Sequence, residues 1–575
     1  MKSVIIFGAG IAGLSAAHEL AQLGHSVSVY EVLDQPGGFF RSSRLSQNNM
    51  PTEYSWHGMG PWYHNAFDLM RRIPFNEKGT IYDLALSRPL DFGIFSDTDK
   101  AQFYKGLKSI PKMFGMNKWE FIKWSYLMLK TWTSNDRSKI KYDKLNAAEA
   151  WKPFLKDKAY KRWRSCFGPW IGSDWSKVSL QTAGDFFKKQ LTSKPAHQHK
   201  ADEEGPAWTH DAGIGWLLFK GPSSEYWFQP WVKYLKEKGV KFCWEKALTK
   251  LEFDGTTIVS AFCGDEKIEG DIFILAINPF ITADILRKSP ALEGQEELKL
   301  FKHLIQGGPH TQVSFRLAFS EEIKFPMKRT AVVISDSEFN LTLFAVEQAW
   351  DKEVDLGQNI KSLWTGTSCI SSTPGRLHHK PVNKCTKEEF IEEVRAQILS
   401  CGALDELIRE ANNGKSLEDF PIIEIEVWHE WKFSDEGIKP LQPKWVNTTH
   451  TQEYLPSQKT RVSNLFLAGA HTKTQAQVWS IEGAVESGRR AAKAIDDRVD
   501  VLDQHRPIWI RVLSKMDDML YTVRAPQIVD TVFLSTPYVR KDVAPKLLRD
   551  PRARGHQNGS ASIRRVQTGS SPEVS

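Results

Sequence analysis

The sequence predicts an α/β fold in which a parallel sheet, built from both ends of the chain, is interrupted by an inserted α+β segment. Three observations predict it. An apolar, β-branched run, Val4-Ile5-Ile6-Phe7, leads directly into Gly8-Ala9-Gly10-Ile11-Ala12-Gly13, a helical pattern, and a second apolar run ending at Glu31. Near the far end, Leu465-Phe466-Leu467-Ala468-Gly469 reads as a strand closing on a glycine turn, followed by a helix rich in small residues. The chain as a whole is too long for one core, since 575 residues at about 100–200 per domain make three or so units.

The first forty residues are a βαβ unit with a dinucleotide fingerprint in its structural context. Gly8 permits the tight turn, Gly10 lets backbone approach a pyrophosphate, and Gly13 lets the helix pack on the sheet. The helix points its free N–H groups and positive end at the phosphates. Glu31, at the end of the second strand, is placed to accept ribose hydroxyls and repels a 2′-phosphate. Gly37-Gly38 then offers a second backbone approach, with Arg41 and Ser42 following for a further contact on the same pyrophosphate.

In this stretch the chain resembles FAD-dependent flavoproteins of the amine oxidase and phytoene desaturase superfamily, closer to the desaturase-like branch. The resemblance implies a Rossmann-like, GR2-type FAD-binding domain with an inserted substrate domain, and FAD held without a covalent bond. It returns at Leu467-Ala468-Gly469-Ala470 and Ile481-Glu482-Gly483-Ala484, where a new helix starts against the ligand. The residues expected to hold FAD are Gly8, Gly10, Ala12, Gly13, Glu31, Gly37, Gly38, Arg41, Ser42, Gly58, Gly469, Ala470, Ile481, Glu482 and Ala484. The departures bear on substrate. Ala470 stands where the family usually has an acid, leaving its contact to His471 or Thr472. Ser480 replaces a frequent cage Tyr, and no Lys lies near His310-Thr311-Gln312.

Between the two ends, Trp56-His57-Gly58-Met59-Gly60-Pro61-Trp62 makes an aromatic-flanked glycine turn. It resembles the stretch that lines the isoalloxazine in the desaturase-like branch, so His57, Trp62 and Trp479 are the candidates for the substrate face. His57 can equally be a structural histidine. Residues 90–215 are crowded with aromatics, among them Trp119, Trp124, Trp132, Trp163 and Trp170. The aromatic run from Phe114 to Trp132, at mostly helical spacing, is either a core helix or an interfacial helix docking on a membrane. His197, His199 and His210 with Asp202, Glu203 and Glu204 have irregular loop spacing and read as solvated surface, so no metal site is expected.

The α/β pattern resumes with a helix to Gly239, a hairpin about Asp254-Gly255 and a buried strand ending at Pro279. Val313–Phe319 alternates like a strand, and Thr386 caps a helix. The expected order is FAD-binding parts at 1–90, 216–290 and 456–500, substrate parts at 91–215 and 291–455, and an extension at 501–575, disordered beyond about residue 550. The extension either packs on the body or touches a membrane.

The six cysteines have no C-x-x-C spacing and read as reduced thiols. No apolar run is long enough to span a bilayer, and the first strand leaves no room for a signal peptide, which suits a cytoplasmic protein with or without membrane contact. Net charge is +7, too diffuse for nucleic-acid binding. These features point to an FAD oxidoreductase that takes a hydride from a C–H bond of an apolar, isoprenoid- or carotenoid-like small molecule. The alternatives are a flavin amine oxidase and a non-catalytic flavoprotein.

Overall fold

The computed structural model describes residues 1–87, 92–96, 100–103, 107–192, 216–326, 331–434, 437–521 and 526–533. The His-rich stretch and the tail beyond 550 lie outside them.

Five short strands lie side by side, all parallel, in the order Leu465–Leu467, Ile272–Leu275, Ser3–Phe7, Ser26–Tyr30, Lys241–Cys243. The first strand of the chain is therefore central. Its two neighbours are reached in opposite directions, which opens a crevice at its carboxyl end. Val4, Ile6, Val27, Val29 and Ile274 pack on one side of the sheet, and Ile5, Phe7, Phe273 and Leu275 on the other. Helix Ile11–Gln22 leaves the first strand and packs against helix Ile481–Ile495. Their contact tolerates no side chain at Gly488, where a Cβ would sit 2.2 Å from the Ala12 carbonyl oxygen. The small residues of the C-terminal helix thus serve its packing on the first helix. The hairpin forms between Leu248–Phe253 and Ile258–Cys263, with Asp254 Oδ1 accepting the N–H groups of Thr256 and Thr257 at 2.8 Å.

A second, mixed sheet of seven strands runs Ile422–Val427, Val313–Phe319, Ser362–Ser368, Leu341–Ala345, Ala331–Ile334, Phe92–Phe95, Gln102–Phe103. Val313–Phe319 is the strand its alternation predicts, and every residue of it is buried, the polar ones included. Its polar face is covered, and Arg316 lies inside the protein with its guanidinium over the Trp350 ring. The helix capped by Thr386 is Lys387–Leu399, with Glu389 completing the capping box.

Helices Lys118–Trp132, Asp157–Ile171 and Leu180–Thr192 bury one another through stacked rings, with Phe114 on Trp163 at 3.7 Å and Trp124 on Trp163 at 4.9 Å. Lys118–Trp132 is a core helix. Trp119 is its exposed large apolar side chain, while Lys130 is buried against Asp530 at 2.5 Å. The C-terminal extension packs on this helical layer. Helix Ile508–Met519 and Val529 join its core, and Arg137 pairs with Asp517 at 3.0 Å. All six cysteines are free thiols. Among the described residues no helix is long and apolar enough to cross a membrane, and no cluster of metal-ligating side chains occurs.

Candidate active site

A cleft of about 550 Å³ opens at the carboxyl end of the central strand. Gly8, Gly10, Ala12, Glu31, Gly37, Gly38, Gly469, Ala470, Ile481 and Ala484 all line it. Two glycine turns face one another across its floor. A Cβ on Gly38 would lie 3.4 Å from Gly10 Cα, so a side chain on either turn begins to fill the slot. Gly10 caps helix Ile11–Gln22 without a side-chain bond, leaving the first-turn N–H groups for a ligand. Glu31 accepts the Ala9 N–H at 2.6 Å and the Leu33 N–H at 3.1 Å. Burial pushes its carboxyl pKa up, and the Ala9 hydrogen bond opposes that rise. Gly13 does not line the cleft. A Cβ there would meet the Gly8 carbonyl oxygen at 1.9 Å, so its role is helix-to-turn packing.

Four residues expected at the cofactor are turned elsewhere. Arg41 is buried and donates to the Gly38 carbonyl at 2.7 Å, to Gln442 at 2.9 Å and to Glu430. A guanidinium engaged by two acceptors on the 430–442 segment ties the glycine turn to the far side of the cleft. Ser42 exchanges hydrogen bonds with Ser224, at 2.8 Å in both directions. Glu482 is buried and accepts from the N–H groups of Asn65 and Ala66 at 3.0 Å, and from the side chains of Asn65 and Gln504. It closes the N-terminus of helix His64–Arg71. Gly58 sits against Trp56 and Trp216, away from the cleft. Of the two substitutes for the missing acid, His471 lines the cleft, while Thr472 is engaged by Gln458 and the Gly469 carbonyl.

Behind Trp479 and Phe40 the cleft continues into an aromatic chamber of about 70 Å³. His57, Gly58, Trp62 and Trp479 line it together with Tyr54, Trp56, Tyr63, Trp170, Phe186 and Trp216. The last three also wall an apolar cavity of about 30 Å³ inside the helical layer. The structure therefore brings the local pair His57 and Trp62 together with Trp479 from the far end of the chain.

Sequence reasoning missed three groups, one in the chamber and two behind its wall. Lys444 Nζ donates to the Gly172 carbonyl at 2.6 Å and to Gln312, and stands 4.5 Å from the Trp479 ring and 5.3 Å from that of Tyr54. Burial pushes its ammonium pKa down to about 7. No Lys lies at 310–312, but Gln312 receives one from 132 positions away. The local signal was a single cation inside the apolar run Leu441-Gln442-Pro443-Lys444-Trp445-Val446. The other two stand behind His57. His57 stacks on Phe40 at 4.3 Å, and its Nδ1 lies 3.3 Å from Glu53 Oε2, which is 3.4 Å from Arg316 Nη2. Burial, and then Arg316, push the His57 pKa down to about 3 and keep the ring neutral. Burial raises Glu53 to about 7 against the pull of Arg316.

The model of the flavin-containing amine oxidoreductase family matches residues 11–496. A zeta-carotene desaturase of Synechocystis sp. is 22% identical over 526 residues, covering 86% of this chain and 96% of that protein. A flavin-dependent L-tryptophan oxidase of Lentzea aerocolonigenes is 48% identical over 46 residues, 8% of this chain and 10% of its own. Among solved structures, cyclohexylamine oxidase from Brevibacterium oxydans superposes with a TM-score of 0.55 at 15% identity, over 86% of this chain and 99% of that one. A putrescine oxidase double mutant superposes at 0.58 and 12% identity, with the same coverage. These structures show the shared fold.

Proposed function

The chain belongs to the flavin-containing amine oxidoreductase family, whose cofactor is FAD, and on that premise we propose that it takes a hydride from a C–H bond of an apolar substrate seated in the aromatic chamber. FAD supplies the two-electron acceptor; the protein's part is to bind, aim and keep water out.

The cleft residues fit that cofactor. The facing turns at Gly8–Gly10 and Gly37–Gly38 leave room for backbone to approach a pyrophosphate, and the uncapped helix start provides donors to it. The Glu31 carboxylate keeps acceptor capacity for ribose hydroxyls beyond its two backbone bonds. Gly469, Ala470, Ile481 and Ala484 shape the far end, at the start of a helix whose N–H groups favour negative charge.

The observation that carries the substrate class is the chamber lining. About half of it is aromatic and most of the rest is small or apolar, and no carboxylate belongs to it or to the adjoining apolar cavity among the described residues. An ammonium substrate would find Lys444 instead of an anion. The Lys444 amine, brought down to about 7 by burial, is the chamber group able to take up a proton released beside the reacting carbon, while His57, held near 3, stays a neutral ring. A volume of about 70 Å³ holds about five water-sized groups. A long chain therefore enters only as the rings of Trp170, Phe186 and Trp216 swing aside.

The test is anaerobic reduction of the purified flavoprotein. Bleaching of the visible flavin band by a polyene or isoprenoid, and not by mono- or diamines, is the expected result. Bleaching by an amine would promote the amine oxidase reading. A band that only dithionite bleaches, across both classes, would favour a flavoprotein without turnover.

A further inference from the structure

We propose that the outer face of helix Ile508–Met519 is a docking surface for an anionic lipid bilayer, which the helix meets lying in the plane of the interface.

The helix has two faces. Inward, Ile510 is buried in the aromatic core, Ser514 accepts from Arg506 at 2.6 Å, and Asp517 pairs with Arg137. These contacts fix its rotation, so it cannot turn its other side inward. That other side carries Ile508, Trp509, Val512, Met516, Met519 and Leu520, which are 70, 46, 51, 44, 77 and 62% exposed. At about 100° per residue they fall within an arc of about 120°. A solvated helix does not ordinarily leave so continuous an apolar stripe in water. Arg511 and Lys515 lie along one edge of the stripe, both exposed and without an ion pair among the described residues.

Charge selects the partner. A protein groove would ask only for the apolar stripe, whereas here the stripe is bordered by cations. Beyond it, residues 534–575 carry eight Lys and Arg against three Asp and Glu, more than half of the chain's net +7. An amphipathic helix and a basic segment are the paired signals that hold a protein on an anionic membrane without spanning it. No helix among the described residues is long and apolar enough to cross. The surface lies outside the flavin cleft, so the inference does not rest on the substrate class.

The experiment is flotation of the full-length flavoprotein with phosphatidylcholine vesicles and with phosphatidylcholine–phosphatidylserine vesicles, at low and raised salt. The wild-type chain is expected to float with the anionic vesicles, less so at raised salt. The double variant Val512→Ser/Met516→Ser is expected to lose at least about tenfold in partitioning, with an unchanged melting temperature. Ile423→Ser, at an exposed apolar site on the seven-stranded sheet, is expected to float like wild type. No flotation, or flotation that the double variant retains, overturns the proposal. So does light scattering that finds a dimer which the double variant dissociates while vesicles bind neither protein, because the occupant is then a second copy.

Discussion

Replacing Lys444 by methionine removes a buried cation and keeps an unbranched stem. In the folded chain burial takes the Lys444 pKa from its usual 10.5 down to about 7. Between those values the unfolded chain binds a proton that the folded chain lacks, so stability rises with pH by up to about 1.4 kcal/mol per unit. From about pH 7 to about pH 9 the wild type should therefore gain up to about 3 kcal/mol relative to Lys444→Met. Below about pH 7 both states hold the proton and the gap should be level. There the burial cost of the cation stands in full, up to about 5 kcal/mol for a shift of this size, offset by the bonds to Gly172 and Gln312 and by the Trp479 and Tyr54 rings. The assay is urea unfolding of both flavin-saturated proteins from about pH 6 to about pH 9, with the two curves subtracted to cancel every other titrating group. A difference that does not change between pH 7 and pH 9 would refute the argument that this amine is held in the protein interior. The same titration should appear in turnover, with kcat/KM rising through about pH 7 in the wild type and losing that limb in the variant.

Gly13→Ala should give insoluble or flavin-free protein, because its Cβ would stand 1.9 Å from the Gly8 carbonyl oxygen. Gly24→Ala, at a left-handed turn whose Cβ would meet nothing within 4 Å, should cost only about 1–2 kcal/mol by thermal melting. Glu31→Ala removes the carboxylate that accepts the Ala9 N–H, and FAD affinity measured by flavin fluorescence should fall about tenfold to a hundredfold. Unaltered affinity would remove Glu31 from the cofactor site. Arg41→Ala should leave FAD affinity within about threefold while costing about 3–5 kcal/mol of stability, since it strands the Glu430 carboxylate that Arg41 pairs with. A large affinity loss with normal stability would return Arg41 to the cofactor.

The sequence by itself determined the βαβ unit, the glycine turn at Gly37-Gly38, the 254–255 hairpin and the return of the chain at Leu465–Leu467. Each is written in contiguous residues whose spacing matches a strand, a turn or a helix start, and local sterics decide them. It also marked His57, Trp62 and Trp479, through an aromatic turn and a helix start that are likewise local. Tertiary structure alone decided which side chains reach the cleft. Arg41 and Glu482 carry the right chemistry beside the right glycines, yet Glu430 lies 389 positions from Arg41 and Asn65 lies 417 from Glu482, and those partners claim them. Lys444 reaches the chamber because residues near 172, 312 and 479 converge there, and Arg316 is interior because the polar side of an alternating strand happens to be covered. Burial of a charged group depends on what folds over it, and no periodicity along the chain records that.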